Sequence, residues 1–175
     1  MNTTDRIKLQ SGSILCEHGF KIKAGAFHID PIEVSSEDII KFAQLRCPGI
    51  QTGMMDDRLF ITKLEPWVDY LEFNWLKTKK WVTNLWDCDN FSMYFSVDAT
   101  LSLGVSSFRV YGQQKTLAGK LIGYHYWNAI ITQEADGSKH LYFVEPQNSL
   151  MTEVKGDSNV VIGSGLYVPI KIYGQ

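Results

Sequence analysis

The stretch Trp86-Asp87-Cys88-Asp89-Asn90-Phe91-Ser92 decides how this chain is read. It sets one thiol at the expected start of a helix, after a Trp-rich segment and between two acids. Phe91, Phe95 and Leu101 continue an apolar stripe at roughly helical spacing, with Ser92, Ser96 and Asp98 falling between. Asp87 reads as the N-cap, its carboxylate able to accept from N–H groups of the first turn. A cysteine there lies near unpaired backbone donors and the positive end of the helix dipole, a setting that favours thiolate over thiol. The flanking aspartates oppose this, so the arrangement needs a cation.

Two downstream segments complete the pattern. Gly123-Tyr124-His125-Tyr126-Trp127-Asn128 supplies an imidazole on an expected strand, and Tyr142-Phe143-Val144-Glu145-Pro146-Gln147 supplies a carboxylate on the next. A nucleophile on a helix start, a base on a strand and an orienting group on the following strand form an acyl-transfer constellation, here Cys88, His125 and Glu145. Alternation places His125 on one face with Gly123 and Trp127, and Glu145 on one face with Leu141 and Phe143. Direct pairing of His125 with Glu145 requires a hairpin loop centred on residue 135. A two-residue turn at Asp136-Gly137 would set Glu145 opposite Asn128 instead. Each residue also has a plainer reading: a buried helical cysteine, a hydrogen-bonded strand histidine, a glutamate that ends its strand before Pro146.

At 175 residues the chain suits one domain, spanning 1–175, with one sizeable core. A net charge of −2 gives no electrostatic case for nucleic-acid or anionic-membrane binding. No apolar run approaches the roughly 18 residues of a membrane span. Met1 to Gln10 lacks the apolar core of a signal peptide, so the expected location is cytoplasmic. Cys16, Cys47 and Cys88 fit no disulfide framework, and Cys16 with His18 has no second pair to make a zinc site. Five Trp and eight Tyr suggest a stiff core with an aromatic-lined cleft.

Along the chain, short strands are expected before residue 30. Ser35-Ser36-Glu37-Asp38 reads as a capping box for a helix ended by Cys47-Pro48-Gly49. Arg58 to Leu64 alternates weakly as a strand, and a second helix is expected from Pro66 with Trp67, Tyr70, Leu71, Asn74 and Trp75 on it. After the Cys88 helix come strands at 108–111, 121–133, 141–145, 151–154, 160–162 and 166–173. Helices first and strands second argue an α+β domain with segregated layers.

At these residues the chain resembles the papain-like cysteine peptidases. It is most similar to the calcium-dependent protease domains of the Marasmius agglutinin type and to phage and bacterial domains of like motif. The resemblance covers roughly residues 80–150, through Trp86 to Phe91, His125 to Asn128, and Glu145-Pro146-Gln147. It implies a papain-like fold, with N-terminal helices packed on a C-terminal antiparallel β-sheet or half-barrel. It further implies a cysteine peptidase or thiol hydrolase acting on a peptide or protein, with Cys88 as nucleophile, His125 as general base and Glu145 orienting the imidazole. Calcium, as an accessory ion and not a participant in the chemistry, would draw on Asp87, Asp89, Asn90 and Gln147. Asn90 stands where the family often has a second aspartate. An oxyanion donor would come from the Cys88 N–H with Gln51 or Asn84. The family's sugar-binding trefoil has no counterpart in the sequence, so the resemblance implies no lectin activity.

Two rivals remain. A peptidoglycan endopeptidase of the NlpC/P60 kind would have Asp-Cys-Ser-Gly where this chain has Asp87-Cys88-Asp89-Asn90. A non-catalytic phage or bacterial interaction domain that keeps the fold would tolerate the two tyrosines crowding His125.

Overall fold

A computed structural model describes residues 13–15, 21–23, 29–54, 56–83, 86–156 and 159–174. Cys16 and His18, weighed above as a metal pair, lie outside these residues. Two short strands, β1 (Ser13–Leu15) and β2 (Lys21–Lys23), pair antiparallel. A second ribbon joins β3 (Ile32–Ser35) to β5 (Arg58–Ile61). Between them lie α1 (Ser36–Arg46) and β4 (Gln51–Gly53). The capping serine is where the sequence puts it: the Ser35 hydroxyl accepts from the Asp38 N–H at 3.1 Å.

The second helix, α2 (Leu64–Phe73), starts two residues before Pro66 and stops at Asn74. There the Asn74 side chain accepts from the Leu76 N–H and caps a separate 3₁₀ turn, Trp75–Thr78. Trp75 therefore leaves the helix that its spacing suggested. Helix α3 (Cys88–Leu103) follows and ends at Gly104, whose left-handed φ of 67° closes the last turn.

The principal sheet has seven strands. They are β4, β6 (Phe108–Thr116), β7 (Leu121–Gln133), β8 (Lys139–Glu145), β9 (Leu150–Glu153), β10 (Val160–Ile162) and β11 (Gly165–Tyr173). They run in the order β10-β11-β6-β7-β8-β9, with β4 added parallel to β11. The separation of helices before strands is thus corrected. Short strands precede and interleave with the first two helices, and one of them joins the main sheet. The described chain is dominated by sheet, with three α-helices laid against it, and does not follow the papain-like division into a helical layer and a half-barrel.

Two cores flank the sheet. One gathers Phe108, Val110, Trp127, Ala129, Ile131 and Phe143 with Ile39 and Ile61. The other sets Trp67, Tyr70, Phe91 and Phe95 of the helices on Ile130 and Val144. Trp67 stacks on Phe95 at 6.3 Å, and the Tyr70 hydroxyl donates to Asp98 at 2.7 Å, tying α2 to α3.

Gly112 on β6 has no room for a side chain. A Cβ there would lie 2.6 Å from the Trp127 ring and 3.0 Å from Pro169 Cα, and would collide with the Val168 carbonyl. Gly112→Ala is expected to destabilise by at least about 1–3 kcal/mol, the range for overpacking a filled core. Urea unfolding of the two proteins measures it, and an unchanged midpoint would show that β11 yields freely.

Candidate functional site

The segment before Cys88 is clamped. Val82 and Trp86 exchange two backbone hydrogen bonds of 2.7 Å, and Trp86 stacks on Tyr94 of α3 at 5.0 Å. The Asp87 carbonyl accepts the first helical bond from Phe91 N–H at 3.0 Å. The Asp87 side chain makes no capping bond, contrary to expectation. It meets the Asp89 carboxyl instead, and that contact, with burial, holds Asp89 above the usual carboxylate range.

Helix α3 is seated on β7 by polar groups. The buried Asn128 amide donates to the Ser92 carbonyl at 3.1 Å and to the Ser96 hydroxyl at 2.9 Å. The Ser92 hydroxyl donates to the Trp127 carbonyl at 3.1 Å. Ser92 and Ser96, which fall between the apolar positions in sequence, are thus fully buried, whereas Leu101 of the expected stripe is 70% exposed. The reason is that β7 presents an amide to the helix, and small hydroxyl side chains both fit and pair with it.

The hairpin register brings the imidazole and the carboxylate together. β7 and β8 pair Gln133 with Lys139 and Asn128 with Val144, leaving a five-residue loop, 134–138. Carried one step further, this register sets Glu145 opposite Trp127, neither opposite His125 nor opposite Asn128. His125 is then the diagonal neighbour of Glu145 on the same face, a separation that long side chains span. His125 Nε2 lies 2.6 Å from Glu145 Oε2. An ionised carboxylate only accepts, so Nε2 carries the proton in this bond, leaving Nδ1 for Cys88. The Cys88 side chain makes a hydrogen-bonding contact with the ring.

Burial opposes a charge on His125, but the hydrogen bonds to Cys88 and Glu145 and the charge of Glu145 outweigh it and raise the imidazole to about 9. Glu145 is itself buried, and its Oε1 accepts from the Gln147 N–H at 3.3 Å. Cys47, by contrast, lies buried in the core, where burial pushes its thiol up to about 12. Another imidazole–carboxylate pair, His140 Nδ1 to Glu153 Oε1 at 2.7 Å, bridges β8 and β9 in a half-exposed position.

Gln51 is exposed on β4, separated from β7 by β11 and β6, and so is no oxyanion donor for Cys88. Asn84 lies outside the described residues. Asp87 and Asp89 converge, and among the described residues there is no group of three or more His, Cys, Asp or Glu side chains placed to hold a metal ion. Gln147 is tied by its backbone to Glu145. Sequence reasoning missed Tyr167, whose hydroxyl donates to Glu145 Oε2 at 3.0 Å from a buried position on β11. Its only sequence signal was its place in an alternating strand, 22 residues away from Glu145.

No protein-family model matches the chain, and no curated protein matches it. Among solved structures, the PSL1a–E64 complex is similar, with a TM-score of 0.55 and 15% identity over 81% of this chain and 51% of that one. Polyporus squamosus lectin bound to the human-type influenza-binding epitope Neu5Acα2-6Galβ1-4GlcNAc is similar at a TM-score of 0.54 and 15% identity, over 81% of this chain and 49% of the lectin. The likeness establishes a shared fold, and the chain spans about half the length of these structures. The resemblance to papain-like peptidases is corrected by these comparisons, since the fold neighbours belong to a protein named a lectin and no peptidase family matches. The expectation of a thiol hydrolase falls with it. No helix among the described residues is long and apolar enough to cross a membrane.

The raised His125 makes a signed prediction. Its folded value of about 9 exceeds the unfolded value of about 6.5, so its stabilisation is complete below pH 6.5 and is lost as the pH rises through 9. Urea unfolding at pH 6 and pH 9.5 is expected to show this loss in the parent chain and a smaller one in Glu145→Gln. Equal pH dependence in both would mean that Glu145 does not hold the imidazolium.

Proposed function

We propose that the chain is a non-catalytic interaction domain that engages its ligand at the half-buried Cys88, with Cys88 as the contacting nucleophile, His125 as its proton partner and Glu145 as the group that orients the ring. One observation carries this reading: the row from the Cys88 thiol through the His125 ring to the buried Glu145 carboxylate. A structural cysteine needs no such partners, as Cys47 illustrates. A thiol beside an imidazole with its own carboxylate is arranged to attack carbon electrophiles. With an epoxide, the sulfur, relieved of its proton by His125, forms a C–S bond while the C–O bond breaks, and the imidazolium returns the proton to the oxygen. The product is a stable adduct, which suits capture of a ligand without release.

A further reading concerns the ligand's identity. A lectin shares the fold, and one face of the sheet carries stacked tyrosines: Tyr111 lies 5.7 Å from Tyr124 and 5.0 Å from Tyr126, with Tyr124 58% exposed. Aromatic faces with polar edges suit the mixed apolar and hydroxyl surface of a saccharide. This supports a glycan-bearing partner over a bare peptide.

The thiol reading is tested with E64, an epoxide, on the intact chain followed by mass spectrometry. One adduct is expected, on Cys88, absent in Cys88→Ser and slowed at least about tenfold in His125→Gln, a factor worth about 1.4 kcal/mol in the barrier. Modification of Cys88 no faster than that of a free thiol would overturn it. Release of many product molecules per chain from any peptide would overturn the non-catalytic part. For the ligand class, titration calorimetry with Neu5Acα2-6Galβ1-4GlcNAc is expected to give heat that disappears in Tyr124→Ala; no heat in the parent chain would remove this trisaccharide as the ligand.

A further inference from the structure

The carboxylate at the end of the site is shared. Glu145 Oε2 accepts both from His125 Nε2 at 2.6 Å and from the Tyr167 hydroxyl at 3.0 Å. Tyr167 is itself held: Gln114 Nε2 donates to its hydroxyl oxygen at 3.2 Å, and its ring meets His125 edge-on at 5.7 Å and Trp127 at 5.2 Å. The backbone makes room for this arrangement. A Cβ on Gly165 would lie 3.0 Å from the Tyr167 ring and 3.2 Å from Gln114 Nε2. Gly112, facing His125 across the β6–β7 pair, leaves the space that Trp127 fills beneath the imidazole. A tyrosine needed only to fill volume would not require its hydroxyl to be both donor and acceptor in a buried network.

We infer that Tyr167, oriented by Gln114, is a positioning residue that divides the acceptor capacity of Glu145 Oε2 and so sets how firmly that carboxylate holds the His125 proton. The inference rests on the proposed role of the Cys88–His125 pair. A carboxylate oxygen that accepts a second donor has part of its charge drawn off and attracts the imidazolium less. Among the described residues, the groups that face His125 are Cys88 from α3, Glu145 from the end of β8 and Tyr167 from β11, with Gly112 of β6 contributing no charge. Among these, Tyr167 is the one that a single-atom change removes without altering charge or shape.

The test is Tyr167→Phe, which keeps the ring and deletes the hydroxyl, with Gln114→Leu as the second variant. The His125 ring is followed by NMR from pH 6 to pH 11, its signal identified by its absence in His125→Gln. Titration is expected to move upward by roughly half a unit in Tyr167→Phe. A smaller move in the same direction is expected in Gln114→Leu, because the hydroxyl loses the donor that polarises it. The pH profile of Cys88 alkylation by iodoacetamide should move with the ring. An unmoved or downward titration would overturn the positioning role, even with brisk alkylation. Slow alkylation of the parent chain, with the titration shifted as expected, would remove the ligand-capture reading and leave the hydrogen-bond relation standing.

Discussion

One buried amide fixes how the helical layer sits on the sheet. Asn128 spends its two N–H donors on the Ser92 carbonyl and the Ser96 hydroxyl, one turn apart on α3, and reaches toward Ser107 as well. Apolar packing alone tolerates sliding of a helix over a sheet by a fraction of a turn. A hydrogen bond in a water-free seam does not, because any slip leaves a polar atom unpaired at a cost of about 1–3 kcal/mol. The position of Cys88, one turn before Ser92, follows from that seam.

The second constraint is where β8 stops. β7 runs from Leu121 to Gln133, while the pairs with β8 begin at Asn128 and Val144, so the first half of β7 extends past its neighbour. His125 lies in the half that pairs with β6 alone, beside the end of β8 where Glu145 turns into Pro146. Strand length and register together open the gap that the start of α3 enters. Trp127, stacked 6.1 Å from His125 and buried, supplies the floor. The carboxylate gains a third donor from the Gln147 backbone as the chain turns away.

Much of this could be read from the residues, and the failures have identifiable causes. The Ser35 cap, the long β7 and the strand at Val160–Ile162 follow from local rules, and the sequence placed Cys88 at its helix start. The meeting of His125 with Glu145 was readable only as an option, because the loop length at Asp136-Gly137 decides it and the loop took five residues. Asp87 failed as a side-chain cap because a second acid two residues on offered it a partner. Leu101 and the two serines were assigned to the wrong sides because a hydrophobic count cannot register a buried amide on another strand. Gln51 has the right chemistry and lies in the wrong part of the sheet. Tyr167 could not be found at all, since its role depends on a contact across the finished sheet. The family resemblance drew on short motifs, and motifs of that length carry chemistry more readily than they carry kinship.

Among the described residues the sheet holds two imidazole–carboxylate pairs of nearly equal length, with unequal access to water. At His125 and Glu145 the side chains are 12% and 6% exposed, and at His140 and Glu153 they are 31% and 27% exposed. Mobile ions reach the second pair and screen it, while the first lies behind a wall of aromatic rings. A brine strong enough to loosen the bond between β8 and β9 would therefore leave the inner one almost untouched. The outer margin of the sheet softens with ionic strength while its interior keeps its setting.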